Sequence, residues 1–194
     1  STTKPVPIAT FYNIVSIYGF NGGAYYHMTN RGGATAEERY VPNKSTLLGL
    51  EAGLTMAVTK PNVLWDNSTL GAEFSGSGLD KMTLRGDAYI LKSDMEERGE
   101  NDEVEGLEAR LTAELNFKDE LSLTADMKIY ANVAEGLVVG NMRGGEQYQM
   151  VQANMDINKS DWSLFMGTPD KRASIRLGIP GLDAGITAQA YLMV

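Results

Sequence analysis

Residues 107–117 read LEARLTAELNF, and apolar and polar side chains alternate strictly along this stretch. Successive side chains of a β-strand point to opposite faces, so the apolar residues of this stretch share one face. A helix would scatter them around its circumference. The same period of two recurs at 50–58, 121–130, 151–158 and 182–192. The pattern therefore predicts strands with one apolar and one polar face, which are typical of antiparallel sheets.

Turn-forming residues lie between the alternating segments. The sequence FKDEL at 117–121 predicts a hairpin, and Asn158–Asp161 predicts a second one. Ser75–Gly78 separates two further strands, and we interpret Asn21-Gly22-Gly23 as another hairpin turn. One short helix is expected at Ala34–Arg39.

These features predict an all-β fold, in which an antiparallel meander of about ten strands forms a sandwich or a partly open barrel. We expect a single β-rich domain over residues 1–194, and the aliphatic, alanine-rich faces to lie inside it. Residues 182–194 are expected to form a strand of the sheet, because their apolar face would otherwise be left uncovered. We also expect the chain to be a fragment or module of a longer protein.

The composition excludes several kinds of chemistry. The chain has 194 residues, no cysteine, one histidine and a formal net charge of −8. Without cysteine there is no disulfide, thiolate nucleophile or sulfur-ligated metal, and a single histidine excludes a multi-histidine zinc site. The acidic balance offers no basic stripe for nucleic acid. We therefore expect no enzymatic activity, no cofactor and no nucleic-acid partner.

Two acidic segments are candidate cation sites. Calcium prefers oxygen ligands, which are abundant at 94–105, although the regular spacing of a calcium loop is missing and a solvated loop explains the run equally well. Asp156, Asn158 and Asp161 form a second candidate metal set. For these residues the alternative is a turn in which the side chains of Asn158 and Asp161 accept hydrogen bonds from nearby backbone amides.

Aromatic side chains supply the candidate ligand-binding residues. Trp65, Tyr25 and Tyr26 could form a stacking platform for a glycan. The tripeptide Arg85-Gly86-Asp87 lies within an alternating strand and is not expected to act as an exposed recognition loop.

Four stretches resemble segments that recur, in the same order, in very large uncharacterised proteins of Bacteroidetes. They are IYGFNGGAYYHM (17–28), ANVAEGLVVG (131–140), DWSLFMGTPDKR (161–172) and AYLMV (190–194). The resemblance extends over most of the chain and implies an exported or envelope-associated protein, located outside the cell or on the cell surface. It implies no activity, ligand or functional residue.

The leading functional expectation is a non-catalytic structural or interaction module of a large extracellular or cell-surface protein. Its partners would be other modules of the same protein or a separate protein. One alternative is a carbohydrate- or polymer-binding module, and another is a hydrolase with paired carboxylates. A further alternative is a small outer-membrane β-barrel, which the period-two strands suit. Alanine-rich faces without aromatic girdles disfavour that alternative, so no membrane contact is expected.

Overall fold

A computed structural model describes residues 7–11, 15–32, 36–58, 64–90, 106–118, 120–134, 136–179 and 182–194. The fold is all-β, and its main sheet is antiparallel, as the alternation predicts. The elements are β1 Ala9–Phe11, β2 Val15–Tyr26, β3 Met28–Asn30, α1 Ala36–Arg39, β4 Tyr40–Pro42, β5 Leu48–Val58, β6 Leu64–Ser75, β7 Gly78–Ile90, β8 Gly106–Asn116, β9 Ser122–Val133, β10 Val138–Gly140, β11 Gln149–Ile157, β12 Trp162–Met166, β13 Ala173–Ile179, β14 Leu182–Ala190 and β15 Leu192–Met193.

A long meander forms the centre of the molecule. Strands β5 to β9 are 11 to 13 residues long, and each pairs with the strand that follows it in the chain. The β8–β9 ladder runs without a register shift from Gly106↔Asn132 to Asn116↔Ser122. Strands β8 and β9 therefore pair as the predicted hairpin, and Ser75 pairs with Gly78 at the predicted turn between β6 and β7. The open, 13-stranded sheet fits the predicted sandwich or partly open barrel.

The C-terminal strands branch from one edge of β9. That edge pairs with β11 along most of its length and with β10 at its end. One branch continues through β13 to β14, and the other continues to β12. Strand β15 follows β14 and pairs with β12, so it joins the two branches. Residues 182–194 belong to the sheet, as predicted, but as two strands, β14 and β15, and the apolar side chains of Ile186 and Leu192 remain 70% and 47% exposed.

The interpretation of Asn21-Gly22-Gly23 as a turn is wrong. These residues lie within β2 and pair with β5. Asn21 faces Gly53, where a Cβ atom would lie 2.2 Å from the Asn21 side-chain oxygen, so the small partner makes room for the amide. The chain instead bends at His27, which has a positive φ of 51°. In the described residues, the predicted helix is reduced to α1, and no helix is long and apolar enough to span a membrane.

The expectation that the aliphatic faces lie inside is wrong for the central strands. Leu50, Leu70 and Leu84 are 43%, 46% and 39% exposed. On the opposite face, Glu73 and Glu108 are only 6% and 7% exposed. Burial of Glu73 has a direct cause: strands β3 and β4 pair with each other and pack over the polar face. We call this pair the covering strands.

The apolar side chains form one continuous face across the meander, which is exposed on β5–β7 at Leu50, Leu70 and Leu84 and is partly or fully buried on β8 and β9. Neighbouring strands bring Ala52 beside Leu70, Leu70 beside Leu84, and Leu84 beside Ala113. Asp66 is the one charged residue on this face of β5–β9, and its carboxylate accepts a 2.7 Å hydrogen bond from Ser68. We call this surface of β5–β9 the apolar face. The buried apolar side chains of the described residues are few, and most lie near β9–β11: Ala57, Tyr130, Ala131, Met142, Val151 and Ala153.

Candidate functional site

The most densely bonded polar group on the covered face is the Glu73 carboxylate of β6. Thr29 Oγ1 donates to its two oxygens at 2.9 and 2.8 Å, and the backbone N–H of Asn30 donates at 2.8 Å. The Tyr25 hydroxyl donates at 3.1 Å, and the Lys81 ammonium lies 3.4 Å away. A buried carboxylate is costly unless it is paired and hydrogen-bonded, and Glu73 meets both conditions. These contacts fix β3 to the sheet.

Asn30 extends this network to a second carboxylate. Its side-chain amide donates to Glu51, which also accepts a 2.6 Å hydrogen bond from the Tyr40 hydroxyl of β4. The Asn30 side-chain oxygen accepts from the guanidinium of Arg85 and from the N–H of Gly32, both at 2.8 Å. Strand β3 is therefore bonded to β5, β6 and β7, and β4 is bonded to β5.

The electrostatics of this network favour neutral tyrosines. Burial, together with the charge of Glu73, raises the pKa of the Tyr25 hydroxyl far above its ordinary value. The hydrogen bond to Glu51, followed by burial, raises the pKa of Tyr40. Each phenol therefore acts as a hydrogen-bond donor to a carboxylate at neutral pH. This arrangement suits a structural clamp better than an acid–base pair.

A second polar cluster lies further along the same face. The Arg110 side chain pairs with the buried Glu108 and lies 4.7 Å from the ring centre of Tyr130. Glu146 accepts a 2.5 Å hydrogen bond from the Tyr130 hydroxyl and pairs with Lys128. The Lys128 contact, followed by that of Tyr130, lowers the pKa of the Glu146 carboxyl. Burial and the bond to Glu146 raise the pKa of Tyr130. This cluster ties the β10–β11 loop to β8 and β9.

The three candidate aromatic residues do not form one platform. Tyr25 is on the covered face, with its ring 5.1 Å from Tyr40, whereas Tyr26 points to the opposite face and is 62% exposed. Trp65 is on the covered face near the other end of β6, where its ring lies 5.1 Å from that of Tyr18. The geometry expected of a flat stacking surface for glycans is therefore not found in these three residues.

The candidate metal residues are used by a turn. The Asn158 side-chain oxygen accepts hydrogen bonds from the N–H groups of Ser160 and Asp161, at 3.0 and 2.9 Å. Asp161 accepts a 2.8 Å bond from the N–H of Trp162, and Asp156 lies near the end of β11. Among the described residues, no group of three or more metal-ligating side chains could hold an ion. The acidic run at 94–105 lies outside the described residues.

Glu73, Glu108 and Asn30 are buried although the sequence does not predict it, because charged and amide residues on one face of a strand normally indicate exposure to solvent. A signal was present in Gly49, Gly53 and Gly71, which lie on the polar face and are all buried. Glycine within a strand often marks close approach by another group. No family model, curated protein or solved structure matches this chain. The interpretation therefore depends on the geometry of the chain itself.

Proposed function

We propose that this chain is a non-catalytic, structural β-sheet of the bacterial envelope whose apolar face packs against lipid acyl chains. One observation carries the proposal: on β5–β7 the polarity of the sheet is inverted, with Glu73 covered and Leu50, Leu70 and Leu84 exposed. In water, the free energy of burial favours the opposite arrangement. Against hydrocarbon, an outward apolar face and an inward polar face are the favourable arrangement.

The polar side of the sheet supports this proposal. A carboxylate such as Glu73 or Glu108 is stable away from water only when its hydrogen-bonding capacity is satisfied. Glu73 has hydrogen-bond donors and a cation around it, and Glu108 is paired with Arg110. The covering strands supply some of these hydrogen bonds, through Thr29 and the N–H of Asn30. The sheet therefore has its own polar interior and does not need the apolar face as a core.

Strand length and pairing also fit a lipid environment. Strands that cross a bilayer need about 9–11 residues when tilted, and β5–β9 have 11 to 13. Hydrocarbon offers no hydrogen bonds to the backbone, so it excludes open sheet edges, and only strands that are paired on both edges are suited to contact with it. The ladders of β5–β9 supply that pairing on both edges of β6, β7 and β8.

This proposal reverses our sequence-based expectation of no membrane contact and takes up the outer-membrane alternative instead. The reason is the observed exposure of the apolar side chains. The sequence predicts that they lie in a protein interior, whereas Leu50, Leu70 and Leu84 are exposed. It keeps the expectation of a structural module in the envelope. The competing hypothesis is that a second copy of the chain, or another protein, covers the apolar face.

The two tryptophans provide a direct test. Trp162 pairs with Ile157 on the apolar side of the sheet and is 56% exposed, whereas Trp65 lies on the covered side. The full chain is reconstituted into phosphatidylcholine vesicles whose acyl chains carry bromine, which quenches nearby indole fluorescence. Trp65→Phe leaves Trp162 as the reporter, and Trp162→Phe leaves Trp65 as its matched control.

We expect brominated acyl chains to quench Trp162 strongly and Trp65 little. Equal quenching of the two reporters, or no quenching of Trp162, would overturn the proposal. Sedimentation of the vesicle-free protein tests the competing occupant. A stable, monodisperse oligomer in the absence of detergent, with an unquenched Trp162, would assign the apolar face to a second copy instead.

A further inference from the structure

Two loops near the end of the sheet enclose a concave space of about 540 Å³. The β10–β11 loop contributes Arg143 and Gly144, and the β12–β13 loop contributes Asp170, Lys171 and Arg172. Gln189 of β14 completes one side. Small-molecule sites commonly have volumes of about 300–1,000 Å³, so the space is large enough for a compact ligand. We call it the basic cleft.

Hydrogen bonds hold both loops in place. In the first loop, the N–H of Gly145 donates to the Met142 carbonyl at 3.1 Å. In the second, the N–H of Thr168 donates to the Lys171 carbonyl at 2.9 Å, and the N–H of Lys171 returns a 3.0 Å bond to the Thr168 hydroxyl. The Arg172 guanidinium donates to the Pro169 carbonyl at 3.1 Å. The cationic side chains therefore project from turns of defined shape.

The cleft holds more positive than negative charge, and the Arg172 guanidinium lies 5.8 Å from the ring centre of Tyr191. Arg143, Lys171 and Arg172 line it together with one carboxylate, Asp170. Within the described part of the chain, none of these three cations forms a salt bridge, although Lys81, Arg110 and Lys128 on the covered face all do. The concentration of positive charge is notable in a chain with a net charge of −8. Mutual repulsion among the three cations would be relieved by a bound anion.

We propose that the basic cleft binds a phosphate-bearing anion. Arg143 and Arg172 bring guanidinium groups, whose planar fork matches phosphate oxygens, and Lys171 adds a compact positive charge. The Nε–H of Arg172 is used by Pro169, which leaves its two terminal NH2 groups for a ligand. The amide of Gln189, which is 3.5 Å from the Ser174 hydroxyl, supplies a neutral donor at the cleft wall. A phosphomonoester lipid headgroup and a small soluble phosphate share this chemistry. The inference is independent of lipid contact by the apolar face.

The test uses a pair of charge-matched variants of the full chain. Arg143→Ala combined with Lys171→Ala removes two cations from the cleft but leaves Arg172, which is bonded within its turn. Lys118→Ala combined with Lys159→Ala removes two exposed cations from other turns and serves as the control. Inorganic pyrophosphate, measured by titration calorimetry, probes soluble phosphate. Phosphatidylcholine vesicles with and without phosphatidate, measured by flotation, probe the lipid headgroup. Circular dichroism checks that each variant folds.

We expect the cleft variant to lose roughly tenfold or more in affinity for at least one probe, as removal of hydrogen bonds to a charged ligand implies, whereas the control stays within about twofold. Loss of pyrophosphate binding assigns the site to soluble phosphates. If the cleft variant loses only the additional vesicle binding that phosphatidate produces, the site is assigned to lipid headgroups. Equal losses in both variants, or no binding of either probe to the parent chain, overturn the proposal. Quenching of Trp162 by acyl chains is measured separately, so failure here leaves the proposed function intact.

Discussion

The ring of Tyr25 lies directly over Gly49 on the neighbouring strand. A Cβ atom at residue 49 would be 2.0 Å from Cε2 of that ring, far inside any normal contact. The ring fills this space because its hydroxyl donates to Glu73 and its other side packs against Tyr40. The missing side chain of Gly49 is thus what allows Tyr25 to reach the buried carboxylate.

We expect Gly49→Ala to destabilise the chain, because the added methyl group displaces Tyr25 from Glu73. Loss of a hydrogen bond to a charged group costs roughly 1.5–3 kcal/mol. Gly23→Ala is the matched control, since a Cβ atom there has nothing within 4 Å. Urea unfolding of both variants checks the expectation, and equal free energies of unfolding for the two would contradict the packing described here.

A pair of neighbouring residues tests the inverted polarity. Thr83 is 8% exposed on the covered face, and Leu84 is 39% exposed on the apolar face. We expect Thr83→Asp to lower the free energy of unfolding by several kcal/mol, because it buries an unpaired carboxylate near Glu73. Leu84→Asp should affect folding less but should weaken vesicle association, as measured by flotation. If Leu84→Asp were the more damaging change in detergent-free buffer, the faces would be assigned wrongly.

The alternation of residues was sufficient to predict the strands, the meander and most turns, because side-chain direction follows directly from strand geometry. It could not predict which face is covered. That outcome depends on Asn30 and Thr29, which reach Glu73 from a distant part of the chain, and no local pattern records such a contact. The prediction of a turn at Asn21 fails for a similar reason: the space that Gly53 leaves for its side chain lies on the neighbouring strand and is not visible in the local sequence.

Glu73 and Glu114 both face Lys81 and differ in burial. The ammonium lies 3.4 Å from Glu73 and 3.7 Å from Glu114, whose side chains are 8% and 40% exposed. We expect Glu73→Ala to cost roughly 3–5 kcal/mol, because it leaves several buried donors without their acceptor and leaves the largely buried Lys81 with Glu114 as its remaining partner. Glu114→Ala should cost at most about 1 kcal/mol. Chemical denaturation of the two single variants measures the difference, and similar costs would argue against a closed polar interior.

The stability of the chain should fall at alkaline pH. The folded-state pKa of Tyr25 and that of Tyr130 are raised above the ordinary value of 10.0. Above about pH 10 the unfolded chain therefore releases protons that the folded chain retains, so the free energy of unfolding decreases as pH rises. Tyr25→Phe should reduce this slope between pH 9 and 11, because it removes one of the phenols whose pKa is raised in the folded chain. A parent chain whose stability is flat over this range would contradict the expectation.

Ala134 holds a backbone conformation that glycine prefers. Its φ is 49°, in the turn between β9 and β10, and its side chain is exposed. We expect Ala134→Gly to raise the free energy of unfolding by about 1 kcal/mol through relief of this strain. Ala52→Gly, in the middle of β5, should lower it by about 0.5–1 kcal/mol. Thermal unfolding measures the stability of both variants. A loss of stability in Ala134→Gly would show that the backbone at residue 134 is not strained.

The covering strands impose an order on assembly. Strands β5–β9 pair with their neighbours in the chain, whereas Thr29 and Glu73 are 44 residues apart and Asn30 and Arg85 are 55 apart. Contacts between distant residues carry a larger loop-closure entropy and tend to form later. We therefore expect the meander to form while Glu73 is still hydrated. A sheet assembled in that order exposes a hydrated polar face and an apolar face at the same time, which is the amphipathic form that our proposal of lipid contact requires.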